Sequence, residues 1–292
     1  MKLFDNVRMK EIFEKHTKFL KKEVDGVRAN LSEQDLRGVN FAEANLRDAN
    51  LSGSNLKDTI LTRINLTDAD LSDSNLEGVN LSHAKLAGAN ISDANLRFAD
   101  LSNAKLTGAI LADANLEGVN LKGANLMGAN FSDANLEKAD LTDANLMGAN
   151  FSDTNLEGAN LKNANLTCVN LTDSNLSDAN LVQANLMAAN LTDANLSGAN
   201  LVGANLMSAI MSDVNLSGAN LTGANLTSAN LTDANLFNAN LKDANLKDVD
   251  LEDGNLAGAN LIGANLEDTY LEGANLNGAN LSSYSNVPGI KG

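Results

Sequence analysis

The chain has 292 residues, 43% of them apolar, yet it holds one Pro, no Trp and only 3% aromatic residues. This excludes a globule built around large aromatic side chains, and the apolar fraction excludes a disordered chain, which leaves many small units stacked on one another. The net charge of −16 repels phosphate and disfavours direct binding to DNA or RNA.

The charge is uneven. Residues 1–28 hold eight Lys/Arg against five Asp/Glu, a net of +3, and residues 29–292 hold 13 against 32, a net of −19. Within the first segment, residues 3–24 predict an amphipathic helix. Met9, Ile12, Phe13, His16, Phe19 and Leu20 recur at helical spacing with charges opposite, and Gly26 reads as the stop. The helix is expected to cap the first of the stacked units, with His16 at its margin. The first twenty residues lack the apolar core of an export signal, and no run of 18 apolar residues occurs, so a cytoplasmic location is expected with no membrane partner. The single Cys168 excludes an internal disulfide.

From Leu31 to Leu281 every fifth residue is large and apolar, 51 positions without a break in phase, and only Phe41, Ile91, Phe131, Phe151 and Met211 depart from Leu. Two residues earlier stands a small residue, usually Ala, and one residue earlier Asn or Asp. A period of five fits neither a helix nor a simple alternating strand. Ala and Leu, two apart in an extended segment, face one side while the Asn between them faces the other. The remaining two positions, rich in Gly, Asp, Ser and Asn, suit a turn. A second period of twenty, seen in the repetition of 125–133 at 145–153, makes four such sides one coil. About 13 coils at the inter-strand spacing of about 4.8 Å predict a rod of about 60 Å. The interior is expected to hold no polar group.

These pentads resemble those of the pentapeptide-repeat family over residues 29–284. The resemblance implies an all-β fold, a right-handed quadrilateral β-helix, with Ala and Leu inside and the other three positions outside. The chain then divides into a capping segment (1–28), the solenoid (29–284) and a tail (285–292) that closes the far end. Ile60, Ile110, Ile210, Tyr270, Lys85 and Lys105 replace the Asn and put apolar or cationic groups outside.

The twenty-residue lattice places two columns on the outside. Asp73, Asp93, Asp113, Asp133, Asp153, Asp173, Asp193, Asp213, Asp233 and Asp253 fall one to a coil, mostly preceded by Ser or Thr. Neighbouring charges at coil spacing repel by roughly 0.9 kcal/mol in water before salt screening, so the array needs an offset. Either each Asp accepts a turn N–H, or the column is a track that binds divalent cations weakly. The same charges argue against a flat ice-binding face on the Ser/Thr column. The second column is apolar: Met127, Met147, Met187 and Met207, interrupted by Thr167, with Val182 and Val202 round one corner. It crosses residues 163–241, whose only charges are five Asp. Contiguous apolar strips tend to mark interaction sites, and Met adapts readily to a partner.

No phosphate loop, nucleophile elbow or H-E-x-x-H motif occurs, and the two His are far apart. No cofactor and no catalytic residue is expected. The expected function is a non-catalytic acidic scaffold for an unidentified protein partner. The alternative comes from the resemblance: some members look like B-DNA in width and charge and bind DNA gyrase. Those are generally dimers joined at a C-terminal cap, often with a protruding loop, whereas here the phase is unbroken and the tail short.

Overall fold

A computed structural model describes residues 6–281, as one helix and a series of pentads paired coil to coil. The chain forms two compact units, Met1–Asp140 and Leu141–Gly292. The proposed tail lies outside the described residues, as do residues 3–5 of the predicted helix.

In the first unit, α1 spans Asn6–Leu20 and stops four residues short of its predicted end. The reason is local. Lys22 adopts φ 58°, the Glu23 N–H reaches the Lys18 carbonyl (2.9 Å) and the Lys22 N–H reaches Phe19 (2.9 Å), a Schellman ending with Lys rather than Gly in the left-handed position. Gly26 is therefore not the stop. It lies against the helix backbone, where a Cβ would come within 2.4 Å of the Phe19 nitrogen, and Val27 then bonds the Lys15 carbonyl (3.1 Å). The returning chain sets α1 on the first coil. Phe13 meets Phe41 edge to face at 6.0 Å. His16, expected at the margin, is instead buried, because its Nδ1 accepts the Ala29 N–H (3.0 Å) and its ring stacks on Phe19.

One pentad shows why the repeat has the residues it has, since all five of its backbone N–H groups have partners. Asp70 donates to Ala49 (2.9 Å) in the coil below; Leu71 donates to Asn90 (2.7 Å) and Asp73 to Ser92 (3.0 Å) in the coil above. Ser74 closes the turn on the Leu71 carbonyl (3.2 Å), and the Ser72 N–H is taken by the Asp70 side chain (3.1 Å). The Asn or Asp before Leu thus supplies a side-chain acceptor, which Ile60, Ile110, Ile210, Lys85 and Lys105 at the same position lack. The second turn residue has positive φ throughout, as at Gly38 (73°) and Asp48 (60°), the geometry of a type II turn. Gly, Asp and Asn tolerate it; other residues there cost about 1–2 kcal/mol each.

Each ladder pairs a residue with the one twenty later in parallel, as in Asn75 with Asn95 and Asn195 with Asn215. Inside each unit the Leu column and its companion Ala column are almost wholly buried, with Phe41, Phe131 and Phe151 filling larger spaces. The interior is not free of polar groups. Ser54, Thr59, Ser74 and Ser174 replace Ala and are buried, but each hydroxyl donates at 2.6 Å to the carbonyl of its own turn. A buried hydroxyl that closes such a bond escapes most of its desolvation cost. At the other end of the second unit Leu276 and Leu281 are only half-buried.

Candidate interaction surfaces

With the interior closed, chemistry is confined to three outward positions per pentad. The position before Leu carries asparagine ladders. In the second unit Asn195, Asn215, Asn235, Asn255 and Asn275 each donate through Nδ2 to the Asn one coil below, at 3.0–3.2 Å. Each Oδ1 of Asn195, Asn215, Asn235 and Asn255 also takes a turn N–H, as Ser217 to Asn215 at 3.2 Å. The side chains thus hold fixed rows that extend the backbone pairing outward.

The ten predicted aspartates all occupy the second turn position, at φ between 55° and 60°. Four lie in the first unit (Asp73 to Asp133) and six in the second (Asp153 to Asp253). Their carboxylates do not take the turn N–H, contrary to one of the two expectations: for eight of the ten the Asn or Asp three residues earlier has it, and before Asp113 and Asp213 that residue is Ile110 or Ile210, which has no acceptor. Asp suits this position because it tolerates the left-handed conformation. Among the described residues no three His, Cys, Asp or Glu side chains converge to hold a metal ion. Each unit therefore offers single carboxylates in a line, not a chelating cage.

The apolar strip is uneven. Met127 in the first unit and Met147 in the second are exposed, each succeeded by a glycine with open space beside it. Met187, Met207, Val182 and Val202, expected to point to solvent, are half-buried. Ala188 and Ser208 stand where the exposed methionines have Gly128 and Gly148. Ile210, three residues after Met207, is 48% exposed and widens the strip, and Phe237 is exposed in the same low-charge stretch. Cys168 is free and exposed at a turn position.

Phe98 is a surface residue that the periodicity does not single out. It is 56% exposed at φ 58°, with its ring over Gly118 and the Arg97 guanidinium 5.0 Å from the ring centroid. Arg97 in turn meets Glu117 at 2.9 Å. The signal was available as a large aromatic residue in a column whose other members in the first unit are Gly38, Asp58, Gly78, Gly118 and Lys138. Cross-coil ion pairs of the same kind join Lys57 to Glu77 and Lys247 to Glu267.

Both units are thus solenoids whose interior only packs and whose outward columns meet the surroundings. The pattern described as Pentapeptide repeats matches in eight copies, among them those at 27–63, 64–97, 94–133, 124–163, 144–183 and 184–223, and that described as Pentapeptide repeat region matches 204–281. The chain belongs to the pentapeptide-repeat family, and its fold is the right-handed quadrilateral β-helix with a short N-terminal helix. Among solved structures it is similar to HetL, a pentapeptide repeat protein involved in heterocyst differentiation regulation from the cyanobacterium Nostoc sp. strain PCC 7120. The identity is 33% over 88% of this chain and 95% of HetL, with a TM-score of 0.27. Rfr23 from the cyanobacterium Cyanothece 51142 is 40% identical over 34% of this chain and 64% of its own, with a TM-score of 0.21. QnrB1, a plasmid-mediated fluoroquinolone resistance protein, is 20% identical over 72% of this chain and 92% of its own, with a TM-score of 0.34. No curated protein matches the chain. No helix of the described residues is long and apolar enough to cross a membrane.

Proposed function

We propose that this protein is a non-catalytic interaction scaffold whose outward columns bind a protein partner. The observation that carries the reading is the apolar strip of Val182, Met187, Val202, Met207 and Ile210. It lies in residues 163–241, which contain no Lys, Arg or Glu. A partner with an apolar ridge would meet little charge to desolvate there, and the ladders hold the strip in shape before binding, which lowers the entropic cost of association. Replacing Met187 and Met207 together with Glu tests it. The circular dichroism spectrum should be unchanged, because both side chains are at outward positions. Capture of a discrete partner from cognate lysate, or self-association in light scattering, should be lost. A double variant that keeps both would remove the strip from the reading.

A second reading rests on the acidic columns: mimicry of DNA toward a type II topoisomerase. A supercoiling assay decides between them. Inhibition of DNA gyrase, or protection from a quinolone at micromolar protein, would favour mimicry; no effect would leave the scaffold.

A further inference from the structure

In a chain so rich in carboxylates, one face of the first unit is basic. Arg63, His83, Lys85 and Lys105, with Glu43 at one edge, line a shallow depression of about 500 Å³. Arg63 and His83 occupy the second turn position in successive coils, both with positive φ (56° and 59°). Lys85 and Lys105 occupy the asparagine position in successive coils and are paired directly in the parallel ladder. All four are exposed.

This arrangement departs from the rest of the molecule in three ways. First, several cations elsewhere meet a carboxylate one coil away, as Lys57 meets Glu77, Arg97 meets Glu117 and Lys247 meets Glu267. Here the residue one coil above Lys85 is Lys105 and the residue one coil above Arg63 is His83, while the one carboxylate of that column in the first unit, Glu43 one coil below Arg63, makes no ion pair with it. Among the described residues, none of the four side chains has an ion pair or hydrogen bond. Second, lysine at 85 and 105 gives up a structural device twice running. It has no acceptor for the turn N–H at Ala87 or Thr107, and it interrupts the asparagine ladder. Third, Arg63 and His83 put large basic side chains, in successive coils, where the backbone favours Gly, Asp or Asn. The stacked lysines and the two strained turns oppose folding, and no ion pair among the described residues offsets them.

We propose that Arg63, His83, Lys85 and Lys105 form a binding site for a small polyanion, one that carries clustered phosphate or carboxylate groups. The guanidinium fork suits two oxygens of one oxyanion, and the lysines add mobile point charges from the neighbouring column. The depression has the volume of a small-molecule site. A nucleic-acid duplex is disfavoured, since the surrounding solenoid is strongly acidic and repels a long polyanion. The site is separate from the apolar strip, so the two readings stand or fall independently.

Calorimetric titration of the full chain with inorganic tripolyphosphate, and in parallel with citrate, at low salt tests the proposal. Wild type should show saturable binding of at least one of them, weakening as salt rises. Tighter tripolyphosphate assigns phosphate chemistry, and tighter citrate assigns carboxylate chemistry. The Lys85→Asn/Lys105→Asn variant restores the residue of the repeat and should weaken binding at least tenfold while melting no lower than wild type. Arg63→Gly, at a position that favours glycine, should also weaken binding, whereas Lys162→Ser in the second unit should not. Absence of saturable binding by wild type, or equal loss in Lys162→Ser, overturns the proposal.

Discussion

Asn215 offers a direct measure of what the asparagine ladder contributes. Its side chain makes three hydrogen bonds: it donates to Asn195 at 3.0 Å and accepts from Asn235 and from the Ser217 N–H, both at 3.2 Å. A typical bond contributes about 0.5–1.5 kcal/mol net. The residue is half-buried, so the lower half of that range applies. Asn215→Ala should therefore cost about 1.5–3 kcal/mol. Asn215→Asp keeps both acceptor roles and loses only the donation to Asn195, so it should cost about 0.5–1 kcal/mol at physiological salt, where the added charge is largely screened. The shift in urea midpoint of each variant measures the two costs. Hydrogen exchange should locate the loss of protection in the coils on either side of Asn215. If Asn215→Asp is as destabilising as Asn215→Ala, the acceptor role is not what matters, and the account of why Asn or Asp precedes each Leu is wrong.

Leu156 is wholly buried, and Leu156→Asp should cost several kcal/mol and unfold the coils around it, seen as loss of β signal in circular dichroism. A variant that melts like wild type would refute the buried Leu column. Burial, the largest influence, lowers the His16 pKa below its ordinary 6.5, opposed by the backbone at Arg47 and the Asp48 carboxylate. The folded protein thus favours the neutral ring, whose Nδ1 must stay unprotonated to accept the Ala29 N–H. The contribution is complete above about pH 6.5 and is lost as pH falls toward the lower folded value. Melting temperature should drop with acidification in wild type and less in His16→Gln; equal slopes would remove His16 as the cause. For the aspartate columns we propose weak cation binding by lines of single carboxylates, so millimolar Ca²⁺ should raise the melting temperature more than NaCl of equal ionic strength. Equal shifts would reduce the columns to turn residues.

The five-residue and twenty-residue periods by themselves determine this fold. A Leu in unbroken phase 51 times permits one buried column per side. The small residue two before each Leu, usually Ala, faces the same interior, and a turn-forming pair completes the corner. Period and side-chain chemistry are local properties, and in a solenoid each coil touches only its neighbours, so local rules propagate without long-range choices. The tertiary structure decided what depends on contact. The role of Asn and Asp before each Leu, as acceptor for the turn N–H, appears only when every N–H is traced to its partner. The burial of His16 and the close approach of Gly26 to α1 depend on how the helix docks, which no periodicity encodes. In the second unit Met187 and Met207 share a column and a residue type with Met147, yet differ from it in exposure. Lys85 and Lys105 were visible as departures from the pattern, but Arg63 and His83 joined them only once neighbouring columns were placed side by side, because sequence spacing orders residues along a column more plainly than across a corner.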